Sequence, residues 1–212
     1  MRPWFWILLS VFALILLYAL AIRRWLLRWG ASAAELAKSL PGDAFLPEAS
    51  SMCTRAIAID APPGRVWPWI AQMGQGRGGF YSYAWLENLF GCQIVNAAEI
   101  HPEWQDVRPG DAVRLAPKIP GLPVRAVERD RALVLGGNAI PERRIPATTW
   151  AFVLEPADGN RTRLIVRWRS QTSRSLYDLV FNKYLLEPMH FTMERKMMLG
   201  IRRRAEAQIG VS

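Results

Sequence analysis

The sequence predicts an α+β fold: an antiparallel sheet of about seven strands and a long C-terminal helix, preceded by one transmembrane helix. Three observations carry this. Pro3 to Ile22 holds no charge and is almost wholly apolar. Two segments near residues 150 and 165 alternate apolar and polar residues on either side of a turn. From Ser173 to about Gln208 the apolar residues recur at helical spacing.

The first run is long enough to cross a membrane, since about 20 residues at roughly 1.5 Å each span a hydrocarbon core of about 30 Å. Trp4, Trp6, Trp25 and Trp29 lie near its ends, where indole rings favour the membrane interface. A cleaved signal peptide is the rival reading, because Ala19-Leu20-Ala21 resembles a small-x-small cleavage site. The length of the run and the prompt arrival of Arg23, Arg24 and Arg28 favour an uncleaved, single-pass anchor. One arginine before the span and three after it place the following domain on the cytoplasmic side of a bacterial inner membrane.

The chain carries +9, and residues 1–28 supply four arginines and no acid. The remainder has 23 basic against 18 acidic residues, a mildly basic domain suited to anionic headgroups. No long basic run, zinc-finger pattern or RNP-type motif occurs, so no nucleic-acid partner is expected. Cys53 and Cys92 lack CxxC partners and read as structural thiols.

Residues 29–50 read as a juxtamembrane helix, weak at Gly30, and a linker broken by Pro41-Gly42-Asp43 and Pro47. The folded domain is assigned to 51–212. Thr54–Ala61 alternates as a strand, with Arg55, Ile57 and Ile59 on one face. Arg65–Met73 follows as a short helix despite Pro68, and Trp85, Leu86, Leu89 and Phe90 form a second apolar group stopped by Gly91. Six further strands are expected at Gln93–His101, Ala112–Ala116, Pro123–Arg129, Ala132–Gly137, Thr148–Glu155 and Arg161–Gln171. In the last, Thr162, Leu164, Val166 and Trp168 should face a core and Arg161, Arg163, Arg167 and Arg169 solvent. Pro156 to Asn160 has the composition of a hairpin turn. Pro188 should kink or divide the final helix.

Strand, two short helices, six strands and a long helix is the order of a helix-grip fold. The stretches APPGRVWPWIAQMGQGRGGFYSYAWLENL, IHPEWQDVRPGD, TWAFVLEP, TRLIVRWRS and MERKMMLGIRRRAE resemble bacterial members of the SRPBCC superfamily, over roughly residues 53–208. That superfamily includes START-type lipid carriers and polyketide cyclases. The resemblance implies a curved sheet wrapping the C-terminal helix, with a mainly apolar cavity between them for a hydrophobic small molecule or lipid.

Gly74-Gln75-Gly76-Arg77-Gly78-Gly79 contains GxGxxG. A dinucleotide fingerprint needs a strand before it and a helix after it. Here a tryptophan-rich helix precedes it, so no nucleotide or other cofactor is assigned. The loop reads as a close-packed connector, or as a gate with glycine hinges beside Phe80, Tyr81 and Tyr83. His101 and Glu103 make an HxE without the downstream PCxxC of zinc deaminases, so no metal is expected. His190 reads as a helix residue without a catalytic role.

The cavity or gate set is therefore Trp69, Met73, Arg77, Phe80, Tyr81, Tyr83, Glu87, Trp150, Met189, Met193 and Met197. The methionines are the adaptable residues of the final helix. The leading expectation is a membrane-anchored, non-enzymatic binding domain. The first alternative is a cyclase, aromatase or hydrolase, which needs Tyr81, Tyr83, Glu87, Arg77 and His101 to converge. The second is a protein-interaction module. The oligomeric state is not encoded legibly.

Overall fold

The computed structural model describes residues 3–139, 146–171, 175 and 180–207. Its fold is α+β, with a six-stranded antiparallel sheet, a long C-terminal helix and one apolar N-terminal helix. Helix α1 (Pro3–Leu17) passes through a π turn at Tyr18–Ile22 into α2 (Arg23–Arg28). The continuous helix Trp4–Arg28 is 25 residues long, and none of its apolar window is buried by protein.

The chain turns at Gly30, whose φ is +72° and where a Cβ would sit 2.1 Å from the Ala56 carbonyl oxygen. Only glycine allows so close a crossing of the first strand. Ser32 and Glu35 then form a reciprocal capping box that starts α3 (Ala33–Ala37).

The strands are β1 (Ser51–Ile59), β2 (Ala112–Val113), β3 (Leu122–Glu128), β4 (Ala132–Gly137), β5 (Ala147–Ala157) and β6 (Arg161–Gln171). Their spatial order is β1-β6-β5-β4-β3-β2. The β5–β6 hairpin pairs Ala157 with Arg161 around Asp158-Gly159-Asn160, and Gly159 and Asn160 supply the positive φ angles the turn requires. Gln93–His101 is not a strand. It is irregular backbone held by side chains: Asn88 brackets Ile94 with two hydrogen bonds, at 2.6 and 2.9 Å. The Asn96 carboxamide oxygen accepts from the Phe80 and Tyr81 amides. Its backbone donors go to scattered acceptors and not to a neighbouring strand: Ile94 to the Asn88 side chain, Ala97 to the Gly78 carbonyl and His101 to the Gln72 side chain.

One sheet face carries the core. Ile57, Ile59, Phe152, Leu154, Leu164 and Val166 pack there with α4 (Pro63–Ala71) and the final helix α6 (Glu187–Ala207), through Trp69, Ile70, Met197, Met198 and Ile201. At Gly200 a Cβ would lie 2.4 Å from the Tyr81 carbonyl oxygen, so α6 touches the backbone of the Phe80–Ser82 turn directly.

Arg161 is exposed as expected, but the rest of the other face of β6 does not look at solvent. Residues 29–50 cover it. Arg163 forms a two-bonded ion pair with Glu35 and donates to the Gly30 carbonyl. Arg167, 2% exposed, donates to Thr54, to the carbonyls of Glu35 and Lys38, and to Asp43. Arg169 donates to the Leu46 and Pro47 carbonyls. Ala31 and Leu40 meet Ala56, Val153 and Ile165 in a small second core. The arginine row is thus a set of anchors for irregular backbone, which needs donors from elsewhere.

Helix α5 (Ala84–Leu89) leaves Trp85, Leu89 and Phe90 about 70% exposed, so this apolar group does not join the core. Pro188 does not divide the last helix. A π turn at Asn182–Leu186 precedes it, with the Glu187 amide donating to the Asn182 carbonyl. The wider turn accommodates the proline ring, and the helix runs on.

Candidate functional site

Two pockets lie between the sheet and α6. One, of about 220 Å³, is lined by Phe80, Ser82, Glu87, Cys92, Leu115, Trp150, Trp168, His190, Met193, Glu194 and Met197. The other, of about 280 Å³, is lined by Leu27, Ser51, Cys53, Arg55, Pro146, Trp168, Ser170, Asn182, Leu186, Glu187, Met189 and His190. Trp168 and His190 belong to both. Their ring centroids are 4.8 Å apart, so this pair forms the partition.

Beneath the partition is a buried polar cluster. Arg55 projects from the core face of β1, as the alternation with Ile57 and Ile59 requires. Its guanidinium forms a very short ion pair with Glu194 of α6. Both side chains are essentially inaccessible to solvent. The Glu194 carboxylate also accepts from the Trp150 indole, at 2.9 Å. Arg55 Nε donates to the Leu26 carbonyl at 2.8 Å, one of the last-turn carbonyls that α2 leaves without an intrahelical partner. One arginine therefore ties the apolar helix, the first strand and the final helix together.

His190 completes the cluster. Its Nδ1 is 3.4 Å from Arg55 Nη1 and its Nε2 3.5 Å from Glu194 Oε1. Burial pushes this imidazole below its ordinary pKa. Nδ1 of a neutral ring can accept from the guanidinium, while Nε2 is buried without a hydrogen-bond partner among the described residues.

The Cys53 sulfur, a His190 nitrogen and a Glu194 oxygen lie within 4.8 Å of one another, a grouping reminiscent of a cation site. Arg55 already supplies the positive charge that Glu194 faces. Burial pushes the Cys53 thiol up to about 12. As it stands, the cluster is a buried ion pair.

Glu87 is the other polar feature. It reaches the smaller pocket from α5, and its Oε2 is buried without a hydrogen-bond partner among the described residues. Burial pushes its carboxyl up to about 7. The folded state then holds a proton between about pH 4.5 and 7 that the unfolded chain has released. Stability from this group is therefore complete below about 4.5 and falls as pH rises through 7. The shift corresponds to about 3 kcal/mol at full burial, and partial solvent access reduces it to about 1 kcal/mol. Glu87→Gln should match the native chain at pH 5 and exceed it by about that amount at pH 8, read as unfolding midpoints at the two pH values. Parallel midpoints would remove Glu87 from the account.

Of the sequence-derived set, Phe80, Glu87, Trp150, Met193 and Met197 line the smaller pocket, and Met189 lines the larger. The other five do not line either. Met73 is buried in the core. Trp69 is buried edge-on to Tyr81, 5.8 Å away, and faces a separate groove with Ala98, Ile100 and Arg204. The Tyr81 hydroxyl donates to the Trp69 carbonyl at 3.0 Å. Arg77 is spent on the Ala71 and Trp104 carbonyls. Tyr83 lies beneath Lys196, 5.3 Å from its ring. His101 stacks on Trp104 at 4.2 Å. The five residues required for the catalytic alternative thus do not converge; only Glu87 reaches a pocket.

The glycine loop is closed rather than hinged. Gly74 and Gly79 exchange backbone hydrogen bonds of 2.9 and 3.0 Å, and Gly78 donates to the Gln72 carbonyl. A Cβ at Gly79 would fall 2.6 Å from both the Val95 carbonyl oxygen and Asn96 Oδ1. These glycines serve close backbone approach.

Sequence reasoning passed over Arg55, Glu194, Trp168 and the role of His190. Two signals were present: a charge on the apolar face of β1, and His190 one helical turn before Glu194.

No protein-family model and no curated protein matches the chain. Among solved structures it is similar to protein NE0264 from Nitrosomonas europaea, at 14% identity and a TM-score of 0.46, covering 75% of this chain and 96% of that one. Protein MLL2253 from Mesorhizobium loti matches at 13% identity and a TM-score of 0.44, covering 74% and 98%. The Aha1 dimer from Colwellia psychrerythraea matches at 14% and 0.43, covering 76% and 99%.

Proposed function

We propose that this chain is a membrane-anchored binding domain of the SRPBCC kind, which holds a hydrophobic small molecule or lipid between its sheet and its final helix. The observation that carries this reading is the pair of adjoining pockets at Trp168 and His190. Each is smaller than the roughly 300–1,000 Å³ usual for small-molecule sites, but the two together fall within it. The smaller is walled mainly by aromatic rings, Leu115 and methionines, and the larger sets Leu27, Leu186, Met189 and Trp168 beside Ser51, Arg55, Ser170, Asn182 and Glu187. Met189, Met193 and Met197 can repack around different apolar shapes. Glu87 and His190 offer polar contacts that would fix a ligand's orientation. The apolar helix Trp4–Arg28 serves as the anchor in this reading, with the domain on the cytoplasmic side.

Full-length protein purified in mild detergent, examined by native mass spectrometry and by solvent extraction, tests this. A stoichiometric hydrophobic molecule should accompany the native chain. Met193→Trp, which fills the smaller pocket, should reduce its occupancy by about tenfold, the equivalent of about 1.4 kcal/mol. A native chain that carries nothing and takes up no added fatty acid would end the proposal.

A second reading has one observation in its favour. Trp85, Leu89 and Phe90 are exposed apolar side chains on and just after α5, the helix that also sends Glu87 to the smaller pocket, and exposed apolar surface is what a protein partner covers. A binding domain that delivers its ligand would use the same surface.

A further inference from the structure

We infer that the first turns of the C-terminal helix, Val180–Leu186, are themselves embedded in the bilayer beside the N-terminal helix, so that the larger pocket opens into lipid. This rests on the reading of Trp4–Arg28 as a membrane span.

The argument is one of register. Tyr18 stacks on Tyr184, with centroids 5.1 Å apart. Arg23 pairs with Glu187 through two hydrogen bonds of 2.7 and 2.8 Å. Trp25 meets Phe191 at 5.1 Å. From Tyr18 to Trp25 is the same number of residues as from Tyr184 to Phe191, so the two helices run side by side in the same direction. Depth in one can be read from the other. Tyr18 lies four residues before Ile22, the last residue of the charge-free run, or about 6 Å at 1.5 Å per residue. Continuing one turn further, Val180 stands level with Leu14, about 12 Å below that boundary. If Leu14 is in hydrocarbon, Val180 is too.

The side chains suit that depth. Val180, Tyr184, Leu185 and Met189 are 40–54% exposed, an apolar surface continuous with that of the N-terminal helix. Glu187, the first acid among the described residues of this helix, falls near the level of Arg23 and is paired with it, where the charge-free run ends. Lys183 has a stem long enough to carry its ammonium toward the headgroups.

The backbone is also arranged for a dry environment. The π turn sends the Glu187 amide to the Asn182 carbonyl. At the same five-residue spacing, the next carbonyl, that of Lys183, would look to Pro188, which has no N–H. The Tyr18 hydroxyl donates to that carbonyl instead. In water such a carbonyl would be solvated at little cost, whereas in hydrocarbon it must be met by protein. The tyrosine from the neighbouring helix meets it.

The consequence concerns the pocket. Leu27, Asn182, Leu186, Glu187 and Met189 line the larger cavity, and these residues sit at or just above the helix pair. A molecule dissolved in the bilayer can reach Trp168 and His190 without crossing water.

Site-directed spin labelling of the full chain in phosphatidylcholine–phosphatidylglycerol vesicles tests this. Cys92 is replaced by serine, and buried Cys53 stays unlabelled. Labels are placed at Val180→Cys and Leu185→Cys, with Leu14→Cys as the anchor control and Arg129→Cys as the aqueous control. Collision with oxygen relative to a water-soluble nickel chelate should rise several-fold at 180 and 185 over 129, approaching the value at 14. Lipid-like behaviour at 14 with water-like behaviour at both 180 and 185 would overturn the inference and leave the anchor standing. Water-like behaviour at 14 as well would remove the anchor and the inference together.

Discussion

Glu194→Ala should lower the stability of the folded domain by about 3–5 kcal/mol, because it leaves the Arg55 guanidinium charged and unpaired inside the core. Both partners of this pair are buried, so water cannot replace the lost carboxylate. The Trp150 indole loses its acceptor in the same step, which leaves a further donor unsatisfied. The contrast that identifies the cause is the double variant Arg55→Met with Glu194→Leu. A well-packed apolar pair commonly equals or exceeds a buried ion pair, so the double variant should recover most of the loss. Denaturant titration of the detergent-solubilised chain, followed by tryptophan fluorescence, measures both. A single variant within about 1 kcal/mol of the native chain would show that the cluster is hydrated and not an ion pair in a dry core. The double variant also separates structure from binding. If its stability is restored and ligand uptake is not, the cluster serves the ligand as well as the fold.

The fold was readable where one physical constraint acted alone. Lipid-length apolarity marked Pro3 to Ile22, strict alternation marked β5 and β6, and helical spacing of Met193, Met197 and Ile201 marked α6. It was not readable where side chains replaced the backbone ladder. Gln93–His101 has the composition of a strand, yet Asn88, Gly78 and Gln72 take its amides, and no local pattern reports partners supplied from other turns. The same holds for the site. Phe80, Trp150 and Met193 could be named because large apolar residues on core faces must line whatever space remains. Arg55 and Glu194 are 139 positions apart, and each alone looks like an ordinary strand or helix charge. Tyr81 and Arg77 misled for the opposite reason. They have the polar atoms that a reactive centre uses, but the last-turn carbonyls of α4 at Trp69 and Ala71, and the carbonyl of Trp104, claim those atoms.

The row of arginines on β6 gives the second large effect. Alternation alone assigned Arg163, Arg167 and Arg169 to solvent, since a charged face opposite an apolar one is ordinarily wet. Here the face is charged because it holds down a segment with little regular structure. Arg167→Ala should cost about 3 kcal/mol, more than an exposed arginine, for which the usual change is within about 0.5 kcal/mol. Two losses add. The half-buried Asp43 carboxylate loses its nearer cation, 2.6 Å away, and keeps Arg169 at 3.5 Å. The carbonyls of Glu35 and Lys38 lose charge-assisted donors, each worth about 1.5 kcal/mol or more. The segment should then detach while the sheet remains folded. Limited proteolysis should therefore cut Arg167→Ala between residues 38 and 50 well before the native chain, and a separated 51–212 fragment should keep its strand signal in circular dichroism. Arg167→Lys retains the charge but not the forked donors and should fall between the two. If Arg167→Ala is cut no faster than the native chain, the segment is held by Ala31 and Leu40 in the small second core, and the arginines only decorate it. The segment matters because it is the path by which the apolar helix is coupled to the domain. Arg55 grips that helix at Leu26, on one side of the sheet, and Arg163 and Arg167 grip residues 30–43 on the other. Between them the first strand is clamped from both faces, which fixes the larger pocket relative to the helix that lines it at Leu27.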